Sequence, residues 1–326
     1  MEVPAIPQKI RYLSIDVFRG LTILVMVFVN STGDFKSIPA WSHHAPDYGL
    51  TYVDLVAPFF IFAIALTYHL TFVSGQIKDG IIQNTLRVLR RYFALIGIGF
   101  LGWCAIEMID QKTLHPVYEW GVFQAIGMAG LVTLLFIWLP RWGRLIAGIG
   151  LWILYQWLIQ TYRIDNTNFA EEHSGFWGGL GYGIMILLAT VVCEAFETHR
   201  MRDFLIWGSI FTISGFAAAQ YYGISKNRLT GPYILVSLGL ACFFFYLIWY
   251  LYDKRQITQS QSKILAPIGK NPLFLYIFHG PLTAVPFIFL TEAAPIQWAL
   301  FWGILNVIIV WLVGYWLDRK KIYISI

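Results

Sequence analysis

Apolar runs of roughly 20 residues, each closed by a short polar segment, recur ten times along the chain. A helix rising 1.5 Å per residue needs about 20 such residues to cross ~30 Å of hydrocarbon. The runs predict helices near Ser14–Ser31, Leu50–Val73, Leu89–Ile109, Gly121–Leu139 and Leu145–Tyr162. In the second half they fall near Gly175–Phe196, Phe204–Tyr222, Pro232–Tyr252, Asn271–Leu290 and Trp298–Leu317. The expected fold is all-α, a polytopic membrane bundle of about ten helices that takes up residues 1–326 as one integral-membrane domain.

The connecting segments support that count. With the amino terminus in the cytoplasm, 18 of the 23 basic residues fall on inside segments. Lys36, Lys112, Arg163, Lys226 and Arg228 are left outside. This asymmetry follows the positive-inside rule with both termini cytoplasmic, and an odd number of spans would spoil it.

Composition agrees. The chain is 58% hydrophobic and 13% charged, where a soluble domain carries about 25% charged residues. The net charge of +5 is explained by orientation in the bilayer, so no nucleic-acid partner is expected. The first twenty residues hold Glu2, Lys9, Arg11, Asp16 and Arg19 without a small-residue cleavage site. The first apolar segment is therefore expected to stay in the mature protein. Cys104, Cys193 and Cys242 are scattered among apolar segments, which predicts neither a disulfide framework nor a metal site. The GGLGYG run at Gly178–Gly183 reads as a helix-packing site, and Trp120, Trp138, Trp142, Trp207 and Trp298 read as an interfacial belt.

So apolar a chain leaves few places for chemistry. The richest is SHHAPDYGLTYVDLVAP, Ser42–Pro58, with His43, His44, Asp47 and Asp54 at the mouth of the second span. Histidine is the side chain suited to proton transfer near neutral pH, and an aspartate can orient its imidazole. Asp54 could instead hold a substrate ammonium. At the inner end of the first span, Asp16 and Arg19 are three apart on one helix face and can pair. Arg19 there could also face an anionic ligand from the cytosol. Asn30, at the outer end, is either a helix cap or a donor to a developing oxyanion. A third cluster, Ala266–Leu282, places Lys270 and Asn271 at the cytoplasmic start of the ninth span and His279 near mid-bilayer. With Arg87, Arg90 and Arg91 these give the inner face phosphate-binding charge, which topology alone explains equally well.

Five of these pieces, in order, resemble the heparan-alpha-glucosaminide N-acetyltransferase family. They are RYLSIDVFRGLTILVMVFVN, HAPDYGLTYVDLVAP, GVFQAIG at Gly121–Gly127, TGPYIL near Thr230 and GKNPLFLYIFH. The resemblance implies acetyl-CoA as co-substrate, taken from the cytosolic side, and an amino-sugar or glycan acceptor on the far side. It puts His44 at the catalytic histidine and Asn30 at its partner asparagine; His43 has no counterpart. Three departures stand out: Asp47-Tyr48 replaces a tryptophan-asparagine, Ala125 replaces an arginine, and the loop between Asn30 and His44 is longer. With no large luminal amino-terminal domain ahead of the first span, the expected setting is a bacterial inner membrane.

The resulting expectation is an acetyl-CoA-dependent N- or O-acetyltransferase. His44, Asn30 and Asp54 are its expected catalytic residues. Arg19, Arg87, Arg90, Arg91, Lys270 and Asn271 are expected to hold the CoA moiety, and Asp47, His43 and His279 the acceptor. A direct transfer and an acetyl-histidine intermediate remain open. A homodimer is compatible with the aromatic and glycine-rich helix faces. The rival class is a secondary transporter of a small polar or sugar-derived solute, for which the chain lacks repeated halves.

Overall fold

The computed structural model describes residues 12–111, 119–170, 174–255 and 264–324. Lys9, Arg11, Lys112 and Lys263 of the basic pattern lie outside the described residues. Every predicted span coincides with a helix. They are α1 (Leu13–Thr32), α2 (Val56–Asp79), α3 (Ile81–Gln111), α4 (Val122–Phe136) and α5 (Arg141–Tyr162). After a short α6 (Ile164–Ala170) come α7 (Gly175–Glu197), α8 (Met201–Tyr222) and α9 (Gly231–Trp249). A four-residue α10 (Ala266–Gly269) precedes α11 (Pro272–Ala284) and α12 (Ile296–Arg319). No strand occurs among the described residues. The protein is an all-α polytopic membrane bundle.

Eight of these helices are long and apolar enough to cross a membrane. The fourth and ninth predicted spans are shorter, Val122–Phe136 and Pro272–Ile288. Fifteen residues of α4 rise only about 22 Å, less than the hydrocarbon thickness. The ninth span is broken at both ends. Lys270 and Asn271 interrupt it between α10 and α11, and Pro281 inside α11 is followed by a 3-10 turn at Val285–Ile288. Irregular backbone at membrane depth is tolerated where it is enclosed by protein or lines a cavity, and both short helices border the cavity described below.

Helix ends departed from the apolar runs where polar residues continue a helix. α3 begins at Ile81 rather than Leu89 because IIQNTLRV is amphipathic and follows Gly80, whose φ of 77° closes α2.

α7 is the most enclosed span. Its glycines give room for neighbours: a Cβ on Gly183 would stand 2.6 Å from Val132 of α4, so this run is the packing site its composition suggested. Nearly buried Arg144 of α5 pairs with Glu194 of α7, which keeps a guanidinium tolerable between helices. Cys193 and Cys242 are buried free thiols.

α1 is the spine of the site. It packs against α2, α9, α10, α11 and α12. Contact with α10 is backbone to backbone: a Cβ on Gly20 would collide with the Leu265 carbonyl, and one on Gly269 with the Asp16 carbonyl. Nothing larger than glycine fits at either place. Gly269→Val should therefore lower the unfolding temperature, because overpacking costs about 1–3 kcal/mol or more. Gly280→Ala, where an added methyl meets nothing within 4 Å, should not lower it. Tryptophan-fluorescence melts of the purified protein check both; equal melts would contradict the close α1–α10 contact.

Candidate active site

The connection between α1 and α2 folds around one carboxylate. Asp54 is fully buried in the 3-10 turn Val53–Leu55 that leads into α2. Its Oδ2 accepts the Thr51 N–H at 2.9 Å, the Ala45 N–H at 3.3 Å and the Thr51 hydroxyl at 3.1 Å. Its Oδ1 lies 2.7 Å from Nδ1 of His44. Tyr233 of α9 donates its hydroxyl to the Asp54 backbone carbonyl at 2.6 Å. A carboxylate can only accept, so the His44 proton sits on Nδ1 and the Nε2 lone pair faces away from Asp54. The His44 side chain is 45% exposed. This is an oriented imidazole with a buried anionic partner, the arrangement of a general base or a nucleophile.

Lys226, in the connection between α8 and α9, brings Nζ to 3.4 Å from that Nε2. Its neighbour Asn227 donates to the carbonyls of Ala45 and Pro46 at 3.4 and 3.3 Å. Arg228 then clamps Asp47 through two bonds, Nε to Oδ1 at 2.6 Å and Nη2 to Oδ2 at 2.8 Å. The same guanidinium reaches Asp165 at 3.1 Å and lies over the rings of Tyr48 and Phe169. Its hydrogen bonds hold the Asp47 carboxyl below the usual carboxylate range. The histidine loop is thus fixed by Asp54 from within and by Lys226, Asn227 and Arg228 from across the bundle.

In the last turn of α1, Asn30 places Nδ2 3.1 Å from Nε2 of buried His279 on α11. The Nδ1 of His279 sits 2.5 Å from the Tyr276 carbonyl, which requires an N–H at Nδ1 and leaves Nε2 to accept from Asn30. One amide hydrogen of Asn30 is consumed; the other is available to the cavity that Asn30 lines. Asn306 of α12 braces the same region, donating to Ser31 Oγ at 2.9 Å and the Leu282 carbonyl at 3.2 Å.

A cavity of about 580 Å³ joins these groups to the opposite end of α1. Its walls include Asn30, His44, Lys226 and Asn227 at one end, and Asp16, Arg19, Arg91 and Lys270 at the other. Arg19 and Asn30, eleven residues apart on one helix, are about 16 Å apart along its axis. Arg19 donates Nη2 to the Ala63 carbonyl at 3.1 Å and to Thr67 Oγ1 at 2.7 Å in α2. Lys270 pairs with Asp318 at 2.7 Å. The middle is apolar, with Phe60, Ile64, Phe123 and Tyr276. The volume lies within the range of about 300–1,000 Å³ found for small-molecule sites.

Of the residues singled out from the sequence, His44, Asn30, Asp16, Arg19, Arg91 and Lys270 share this cavity, and Asp54 holds His44. The others stand apart from the lining. Arg87 pairs with Asp79 at 2.6 Å and, like Arg90, is exposed on α3. Buried Asn271 clasps the C-terminal segment instead. It donates to the Ile322 carbonyl at 3.0 Å and accepts the Ile324 N–H at 2.8 Å, and Ile324 borders the cavity together with Lys270. His43 is 3.1 Å from the Ile38 carbonyl. Asp47 is spent on Arg228, and His279 backs Asn30. Sequence reading missed Lys226, Asn227 and Arg228 as site residues. Two of the three were visible as rare basic residues on the outside, close before TGPYIL.

A comparison with known families falls on the segment that holds the histidine loop. A family described as "Domain of unknown function (DUF5009)" matches residues 11–109, which contain Arg19, Asn30, His44 and Asp54. Human heparan-alpha-glucosaminide N-acetyltransferase is 33% identical over 138 residues, 39% of this chain and 19% of that protein. The mouse enzyme of the same name is 32% identical over 143 residues, covering 40% and 20%. The chain thus covers about a fifth of the length of these curated relatives, 19% and 20%. By motif and by alignment alike, it resembles the heparan-alpha-glucosaminide N-acetyltransferase family.

Proposed function

We propose that this protein is a transmembrane acetyltransferase that carries an acetyl group from cytosolic acetyl-CoA to an amine or hydroxyl of a sugar on the other side. The observation that carries the reading is the single cavity connecting Arg19 and Lys270 to Asn30 and His44. The names of the relatives supply the reaction class. In a bacterial inner membrane the two compartments would be cytoplasm and periplasm.

The inner mouth suits a nucleotide thioester. Arg19, Arg91 and Lys270 line it, and guanidinium and ammonium groups are the usual partners of phosphate. Arg87 and Arg90, outside the lining, would meet only what projects from the mouth. The apolar waist accepts the pantetheine arm and excludes water from the thioester.

At the outer end the acceptor nucleophile takes the place of the Lys226 ammonium at Nε2 of His44. It attacks the thioester carbonyl carbon and yields its proton to Nε2. Asp54 keeps the second imidazole proton on Nδ1 and stabilises the imidazolium, as the acidic member of a catalytic triad does. The free amide hydrogen of Asn30 meets the oxyanion of the tetrahedral intermediate. Collapse breaks the carbon–sulfur bond, and the departing thiolate takes the proton from His44. An acetyl-histidine route would use the same lone pair as nucleophile, followed by attack of the acceptor on the acylated Nε2. Labelled acetyl retained on protein without acceptor separates the two routes.

His44→Ala should lower kcat by about 10²–10⁴-fold, while acetyl-CoA affinity measured by calorimetry stays within about twofold, since the donor charge sits at the far mouth. Normal turnover would exclude His44 from the chemistry, and untouched acetyl-CoA in the wild type would favour a transporter. Asn30→Ala should cost about 10²–10³-fold in kcat. His279→Ala should cost a similar amount by releasing the Asn30 amide, and the double variant should be no worse than Asn30→Ala alone. Losses that multiply would show that His279 does not act through Asn30.

A further inference from the structure

Behind the Arg228 clamp lies a second, smaller concavity of about 200 Å³ that takes no part in the chemistry above. It is lined by Tyr48, Gln156, Arg163, Asp165, Tyr221 and Tyr222, among others. Arg228 touches a residue of each lining. One neighbour of its guanidinium is Phe169, which lines the large cavity, with its centroid 4.8 Å away; the other is Tyr48 of the small one, at 5.4 Å.

Three features give this space a chemistry. Gln156 of α5 is more than nine-tenths buried. Its Oε1 accepts the Gly231 N–H at 2.9 Å, which fixes the amide, and its Nε2 is buried with no hydrogen-bond partner among the described residues. Buried donors are rarely left unsatisfied, so this amide calls for a water or a ligand atom at the concavity that Gln156 lines. Asp165, also buried, spends one contact per oxygen on Arg163 and Arg228 and retains acceptor capacity. Three tyrosines, 37–85% exposed, border the opening. Tyr221 and Tyr222 sit where an interfacial belt would place tyrosines. Tyr48 belongs to the histidine loop instead, and its ring packs against Gly223. A belt also gives no reason for the unpaired amide.

An amide donor, a carboxylate acceptor and flat aromatic rings together suit a neutral polyhydroxylated ring. Its hydroxyls exchange hydrogen bonds with Gln156 and Asp165, while its C–H face covers a tyrosine. Arg163 in the lining is paired with Asp165 at 3.3 Å, so the two charges offset each other and favour a neutral ligand over a phosphate, while the polar floor disfavours an acyl chain. We infer that this concavity is a saccharide subsite holding the sugar next to the one acetylated at His44. The inference rests on the reading of the acceptor as a glycan. His44 and Tyr48 are four residues apart, hence no more than about 14 Å, a span one oligosaccharide can bridge across the Asp47–Arg228 pair.

The test measures binding separately from turnover. Purified full-length protein is examined by saturation-transfer NMR with glucosamine, N-acetylglucosamine and the β-1,4-linked disaccharide of each. At least one disaccharide should bind about tenfold more tightly than its monosaccharide, a difference set by the added ring. Tyr221→Ala and Gln156→Leu should erase that preference. Tyr221 is 85% exposed, so its variant should melt with the wild type and keeps the experiment interpretable if Gln156→Leu misfolds. Equal binding of every pair in the wild type, or a preference that survives Tyr221→Ala in a normally melting protein, would overturn the subsite. Acetylation without a disaccharide preference sinks the subsite alone. A preference lost in both variants, in a protein that never acetylates these sugars, keeps the subsite and counts against the acetyltransfer reading.

Discussion

Hydrocarbon offers no partner to a polar group, so every charged or amide side chain in this bundle must find one in the protein or face the cavity. The structure around the site follows from that constraint. Arg144 is enclosed because Glu194 meets it. Asn306 ties α12 to α1 and α11. Asp54 collects four donors at the mouth of α2 and thereby fixes both the loop and the tautomer of His44. Arg19, Asn30 and Lys270, each held by a partner in the protein, also border one continuous cavity. Polar chemistry in so apolar a chain is concentrated because it is tolerated in few places.

α1 links the two ends. It presents Arg19 near one end and Asn30 near the other, and its close approach to α10 holds Lys270 at the same inner mouth. Around it, the two shortest spans, α4 and α11, stand where the bundle opens. Their length and breaks are consistent with helices shaped by a cavity rather than by lipid thickness alone. Loops distant in sequence then complete the outer rim: Lys226 and Asn227 reach His44 and the carbonyls beside it from 181–182 residues away.

Much of this was legible in the sequence, for a physical reason. Span positions follow from apolar run length, and all ten runs became helices; only ends such as Ile81, where an amphipathic stretch extends the helix, escaped. The His44–Asp54 pair could be anticipated because ten residues of local chain separate its members. Asn30 was recognisable, but its anchoring by His279 was not, since that contact joins residues 249 apart. The basic residues were harder. Positive charge at the inner face serves topology and ligand alike, and only packing distinguishes Arg91, which lines the cavity, from Arg87, which pairs with Asp79. Asn271 illustrates the same limit, with a motif position that proves to clasp the chain's own C-terminal segment. Arg228 carried no motif at all, and its place between two carboxylates and two rings comes from tertiary structure alone.

In the proposed reaction, donor and acceptor meet from opposite faces of the bilayer. The most direct measurement reconstitutes the protein into sealed vesicles with radiolabelled acetyl-CoA on one face only and glucosamine or its disaccharide on the other. Labelled sugar should accumulate on the acceptor face in uniformly oriented wild-type vesicles and not in His44→Ala vesicles. Acetylation that occurs only when donor and acceptor share one compartment would contradict transfer across the bilayer.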